Sequence, residues 1–179
     1  MDCKVIPFRI VSRPAFWVAG RKTWISGPNN EDFGRFWEEC RAEGVFQIFK
    51  AMTQFKPGVV TNGVTLGISR VEQDPSRREF YYMIAVESGG KDIIVNFETY
   101  QVPATQWAVF ECHGQIPEAI VTAEIYAFTR WLPESGYTHA MAPEMEVYPP
   151  AELKDYCEFW LPVKLKDSPL SPIPGQSPA

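Results

Sequence analysis

The side chains most suited to chemistry in this chain are carboxylates set among aromatic rings. Glu158 lies within Tyr156-Cys157-Glu158-Phe159-Trp160-Leu161. In an extended chain residues two apart share a face, so Tyr156, Glu158 and Trp160 point the same way. A carboxylate so surrounded loses hydration, a cost that a protein partner, a proton or a bound cation must offset. With nothing bound, a raised pKa is the expected signature. The plainer alternative is a strand glutamate that faces water or pairs with Lys154 or Lys164. Glu144, Glu146 and Tyr148 share a face on the preceding segment and would supply a second acid, although exposed glutamates are the commoner outcome. Tyr82, flanked by Phe80 and Ile84 on its face, offers a ring to a cation and a hydroxyl to a carboxylate. It equally suits cross-strand packing. Trp107, with Val109 and Glu111, forms a similar set, and Trp37 belongs to an apolar helical stripe as core or as pocket wall.

Other chemistries find little support. Cys112 and His113 adjoin, but neighbours on a strand point to opposite faces, which does not favour a nucleophile and its base. His139 reads as an ordinary loop residue. The cysteines at 3, 40, 112 and 157 lack a Cys-x-x-Cys pair and have two histidines to help them, so reduced, buried thiols are expected and no metal site. The glycines between Gly58 and Gly67 match no phosphate-cradling motif, and no cofactor is expected. A formal charge of -5 argues against sequence-independent nucleic-acid binding, the one basic cluster being Arg77-Arg78 at a turn. A charged partner would be a cation. No apolar run approaches bilayer length and no signal core leads the chain, so no membrane contact is expected and the cytoplasm is the default location. Six Trp, seven Tyr and twelve Phe in 179 residues fit either a well-filled core or a ring-lined pocket.

The elements that position these groups follow from periodicity. Residues 3–26 read as two strands broken at Arg13-Pro14. A turn through Gly27-Pro28-Asn29 reaches Asn30 as N-cap, and Glu31 and Asp32 suit the positive end of a helix. Phe33, Phe36, Trp37 and Cys40 make its apolar stripe, Gly44 ends it, and 45–52 gives a further short helix. Strands over 64–71 and 79–87 are joined by Gln73-Asp74-Pro75-Ser76. Ser88-Gly89-Gly90-Lys91 is a flexible junction, after which the order recurs: a strand over 105–114 and a helix opened by Pro117 with Val121, Ile125, Phe128 and Leu132 as its buried stripe. Strands over 144–148 and 155–165 complete the second half.

Strand, helix, strand, strand therefore occurs twice, which predicts an α+β fold. Two units pair edge to edge into one antiparallel sheet with both main helices on one face, leaving a central groove floored by the sheet. Setting Glu79–Ile84 beside Asp155–Trp160 makes Tyr82 the counterpart of Glu158, and a two-fold axis would bring both into one hollow. Residues 1–166 form this domain, and 167–179, rich in Pro and Ser, form a disordered tail.

With this element order, the closing Glu158-Phe159-Trp160-Leu161-Pro162-Val163 and the preceding Glu146-Val147-Tyr148 make the chain resemble the GyrI-like, or AraC-type effector-binding, multidrug-binding domain family, including its stand-alone mobile-cassette members. The likeness spans roughly residues 3–166, with Phe159 replacing an aliphatic residue of the family pattern. It implies recognition of hydrophobic, often cationic compounds by a buried glutamate ringed by aromatics. By that likeness Glu158 would be the anionic base, with Trp160 beside it and Glu146 as a further acid; Tyr82, Tyr156, Trp107 and Trp37, chosen from their own positions in the sequence, complete the expected ligand site. Many relatives carry a helix-turn-helix; here the fold begins near residue 3, so direct DNA binding is not expected. A protein partner or a homodimer stays open. The leading expectation is a binding module for a small hydrophobic cation. The alternatives are a hydrolase of strained electrophilic compounds, with Glu158 as general base, and a gyrase-inhibitor-like protein-binding module.

Overall fold

The computed structural model of the chain describes residues 5–90, 96–149 and 152–167. Alternating patterns become β1 (Phe8–Arg13) and β2 (Phe16–Ser26). The helical stripe becomes α1 (Glu31–Ala42), and Gly44 turns the chain in the left-handed region (φ 73°) into α2 (Val45–Thr53). Asn30 stands at the boundary of α1 but does not cap it. Asn29 Oδ1 accepts the Glu31 N–H instead (3.2 Å), and the Asn30 side chain is held by Arg78. Then come β3 (Leu66–Arg70), β4 (Glu79–Ser88), β5 (Glu98–Val102) and β6 (Thr105–His113). α3 (Glu118–Tyr126) runs on through a π-helical turn (Ala127–Trp131) into one last turn, Leu132–Glu134. β7 (Tyr137–His139), β8 (Glu144–Val147) and β9 (Tyr156–Leu165) close the fold.

All pairings are antiparallel, in the order β1-β6-β9-β8-β3-β4-β2-β5, with β7 alongside β9. The two halves meet at the β3–β8 pairing, where Gly67 faces Glu146 and Leu66 faces Val147. Each half lends its leading strand to the other: β1 pairs with β6 of the second half, and β5 pairs with β2 of the first. This exchange ties the halves together by backbone hydrogen bonds as well as by the central seam. The expected α+β sheet with its helices on one face is therefore present; of its two edge strands β1 was expected as a strand and β5 was not, and the exchange of both between the halves does not follow from simple repetition.

The sheet buries apolar residues on both faces. On the helix side, α1 and α2 cover Tyr82, Ile84 and Val86, while α3 covers Phe110, Phe159 and Leu161. The other side, hereafter the open face, has its own cluster of Val18, Leu66, Ile68, Met83, Trp107, Met145 and Trp160. A loop over 57–64 lies on this face, tied down by Glu87. The Glu87 carboxylate accepts the N–H groups of Val59, Val60 and Thr61 and the Thr61 hydroxyl. Four such bonds satisfy a carboxylate that is 7% exposed.

One expected stripe is corrected. Ile120, Ala123, Ala127 and Trp131 are the residues of α3 and its extension that face the sheet, whereas Val121 and Ile125 are 39% and 57% exposed. Two alanines let the helix sit close to the strands, so its larger residues turn sideways. Cys40, Cys112 and Cys157 are free and buried; Cys3, Lys91 of the expected junction and residues 168–179 of the expected tail lie outside the described residues. Among the described residues no helix is long and apolar enough to cross a membrane.

Candidate functional site

Register decides which candidate residues can meet. In β8, Glu144 and Glu146 point to the helix side, as does the hydroxyl of Tyr148 just beyond the strand, and Met145 and Val147 point to the open face. Because Met145 faces Trp160 and Val147 faces Glu158, Trp160 and Glu158 lie on the open face and Phe159 on the helix side. Tyr82 packs with Phe36 and Ile84 beneath α1. It therefore shares its face with Phe159 and not with Glu158. The expectation that Tyr82 and Glu158 reach one hollow is overturned: matching the two strands one residue out of step put Tyr82 on the wrong side of the sheet. The seven candidates divide into Trp37, Tyr82 and Glu146 on the helix side, and Glu158, Trp160, Tyr156 and Trp107 on the open face.

On the helix side, Glu146 is the centre. Its Oε2 accepts hydrogen bonds from the Tyr82 hydroxyl (3.1 Å) and the Tyr148 hydroxyl, and the Trp37 indole N–H donates to Tyr82 Oη (3.0 Å). Rings enclose this chain of bonds. Trp37 stacks on Phe46 and meets Tyr148 edge-on at 4.9 Å, and Phe33 meets Tyr82 edge-on at 4.8 Å. Gly67 makes the arrangement possible, because a Cβ there would come 2.4 Å from Tyr82 Oη and 2.6 Å from Glu146 Oε2. Among the described residues no basic side chain pairs with Glu146. Burial raises its pKa, and the two hydroxyl bonds only partly oppose that.

Glu124 of α3 approaches from the opposite wall. Burial pushes its carboxyl up to about 7, helped by the negative charges of Glu144 and Glu146 and opposed by Arg78. Glu144 is buried beside His139 (Nε2 to Oε1, 3.1 Å), whose ring stacks with Phe128 one turn beyond Glu124. The helix side of the sheet thus holds three acids near one another, one of them partnered by His139. Sequence reasoning missed Glu124 and passed over His139. The signal for Glu124 was its place one turn before Phe128, which packs against the core and stacks on the His139 ring beside Glu144.

On the open face Glu158 has a different environment. Its Oε1 accepts from Arg9 Nη2 (2.7 Å) and the Tyr156 hydroxyl (2.9 Å), and its Oε2 accepts from the Trp160 indole (2.8 Å). Burial alone would raise its pKa. The Arg9 bond, then those of Trp160 and Tyr156, outweigh that and hold it below the usual carboxylate value. The raised pKa expected at Glu158 is therefore found at Glu146 and Glu124 instead. Arg9 is needed here for a second reason: Glu158 stands directly opposite Glu111 across the β6–β9 ladder, and Arg9 also reaches Glu111 at 3.9 Å. Trp107 is fully buried against Trp160 and belongs to the core.

A family model described as integron-associated effector binding protein matches residues 9–163. No curated protein matches the chain. Among solved structures, SAV2435 bound to tetraphenylphosphonium is 22% identical over 89% of this chain and 94% of that one, with a TM-score of 0.73. An integron cassette protein from the mobile metagenome of Vibrio cholerae is 13% identical over 88% of this chain and 95% of that one, with a TM-score of 0.60. The C-terminal domain of EcmrR is 12% identical over 91% of this chain and all of that one (100%), with a TM-score of 0.61. At these identities the likeness is one of fold.

Proposed function

The chain belongs to the integron-associated effector binding proteins, and from that premise we propose that it binds a small hydrophobic organic cation in the helix-side groove, with Glu146 as counter-charge. The observation that carries this reading is the pairing of Glu146: two tyrosine hydroxyls hold its carboxylate, and no basic group among the described residues neutralises it. A delocalised cation is weakly hydrated and loses little on entering such a site. Contacts with the faces of Trp37, Tyr148 or Phe33 would add about 0.5–2 kcal/mol each, beside the burial of apolar surface. The tetraphenylphosphonium held by SAV2435 is a cation of this type.

Titration of the intact chain with tetraphenylphosphonium, followed by tryptophan fluorescence, tests the proposal. The expected result is saturable quenching that weakens at least tenfold, or about 1.4 kcal/mol, in Glu146→Gln and less than twofold in Glu158→Gln. Triphenylphosphine oxide, neutral and of similar shape, should respond equally in wild type and Glu146→Gln. Equal losses for charged and neutral ligands would reduce Glu146 to a structural residue. The ligand should be recovered unchanged.

A further inference from the structure

The open face carries a cleft of about 240 Å³ on the opposite side of the sheet from the Glu146 carboxylate, and Tyr148, which bonds Glu146, lines its edge. Its floor is Val147, Glu158 and Trp160. One wall is the loop bearing Val60, Thr61, Asn62 and Val64, and the other is β1 with Arg9 and Arg13. That loop is a fixed wall, since Glu87 anchors its backbone through Val59, Val60 and Thr61.

The charges in this cleft are not equivalent. Glu158 already has three donors, and Arg9 is committed to Glu158 and Glu111. Arg13 has no ion pair or hydrogen bond among the described residues. Its guanidinium lies 5.8 Å from the Trp160 ring, and its Nε is buried without an acceptor. A guanidinium offers five N–H donors in a planar fork suited to a carboxylate. The unspent charge on the lining is thus positive, and the surfaces next to it are the Trp160 ring and the side chains of Val60, Val64 and Val147.

We propose that this cleft is a second binding site, selective for a small aromatic carboxylate whose anionic end meets Arg13 and whose ring packs between Trp160 and the anchored loop. The volume suits one ring and its carboxylate, well below a drug-sized ligand. The charge preference is opposite to that of the helix-side groove, and the inference does not depend on what that groove binds.

Benzoate is the probe. In ¹⁵N-correlated spectra of the intact chain, the Trp160 indole N–H, assigned by its loss in Trp160→Phe, should shift saturably with benzoate. Benzyl alcohol should bind at least tenfold more weakly to the same unaltered protein. Arg13→Gln should weaken benzoate at least tenfold and Arg13→Lys less, while tetraphenylphosphonium still acts on both variants as on wild type. Benzyl alcohol binding as tightly as benzoate, an Arg13→Gln protein that keeps benzoate affinity, or no saturable Trp160 shift would each overturn the assignment. The comparison of the two ligands on wild-type protein stands even if the variants fold poorly.

Discussion

Glu146 and Glu158 sit on neighbouring strands of one sheet, each receives tyrosine hydroxyl bonds, and they behave in opposite ways. Glu158 has Arg9 at 2.7 Å, so its ionised form is favoured and its charge is internally balanced. Among the described residues Glu146 has hydroxyl partners alone, so burial disfavours its ionised form and its charge awaits a partner. Aromatic surroundings are common to both and therefore do not mark a ligand site. What distinguishes the two is whether the fold itself supplies the opposite charge. β1, by crossing to the second half of the sheet, brings Arg9 to Glu158, and among the described residues no strand does the equivalent for Glu146.

The comparison can be broken most forcefully at Gly67. A methyl there overlaps the Tyr82 hydroxyl and the Glu146 carboxylate. Gly67→Ala should cost about 1–3 kcal/mol by urea denaturation and remove most tetraphenylphosphonium binding. Intact binding in a destabilised Gly67→Ala protein would mean that the cation does not use this carboxylate.

Next in size come the two neutralising substitutions, which should act with opposite sign. At pH 8, Glu158→Gln should cost about 1–2 kcal/mol, less than a fully buried pair because Arg9 is partly exposed. Glu146→Gln should raise the melting temperature of the ligand-free protein, at about 2–4 °C per kcal/mol. The signs follow from linkage. The lowered pKa of Glu158 contributes stability above the ordinary carboxylate range, lost as pH falls through the lowered value. The raised pKa of Glu146 makes ionisation cost stability as pH climbs through it. Two substitutions that both destabilise at pH 8 would erase the distinction.

The smallest effect concerns Glu124. Burial pushes its carboxyl up to about 7, so negative charge enters the helix-side site as pH rises through that range. Cation affinity should grow roughly two- to fivefold between pH 6 and 8, about 0.4–1 kcal/mol, and Glu124→Gln should flatten that rise. Calorimetric titration across this range is the measurement. A steep rise surviving in Glu124→Gln would assign it to another group.

Much of the fold was legible in the sequence because local periodicity carries it. The α1 stripe of Phe33, Phe36, Trp37 and Cys40, the turn before β4 and the doubled element order all follow from spacing. The strand exchange was not legible, since the pairing of Phe8 with Phe110 and of Phe16 with Val102 is long-range and β5, Glu-Thr-Tyr-Gln-Val, has no marked alternation. The site was half legible. Residue types named Glu146, Tyr82 and Trp37 as well as Glu158, Trp160 and Tyr156. Sorting them into two places required a register known to one residue, and the ladder supplies it where the letters do not. Arg9, 149 positions from Glu158, left no trace in its local sequence.

A crystal of the chain soaked with tetraphenylarsonium tests the central claim most directly, because the anomalous signal of arsenic locates the cation without interpretation of shape. The expected peak lies on the helix side between α1 and α3, with a phenyl-bearing centre about 6 Å or less from the ring of Trp37 or Tyr148 and Glu146 as the nearest carboxylate. A peak on the open face beside Glu158, with the helix side vacant, would contradict it.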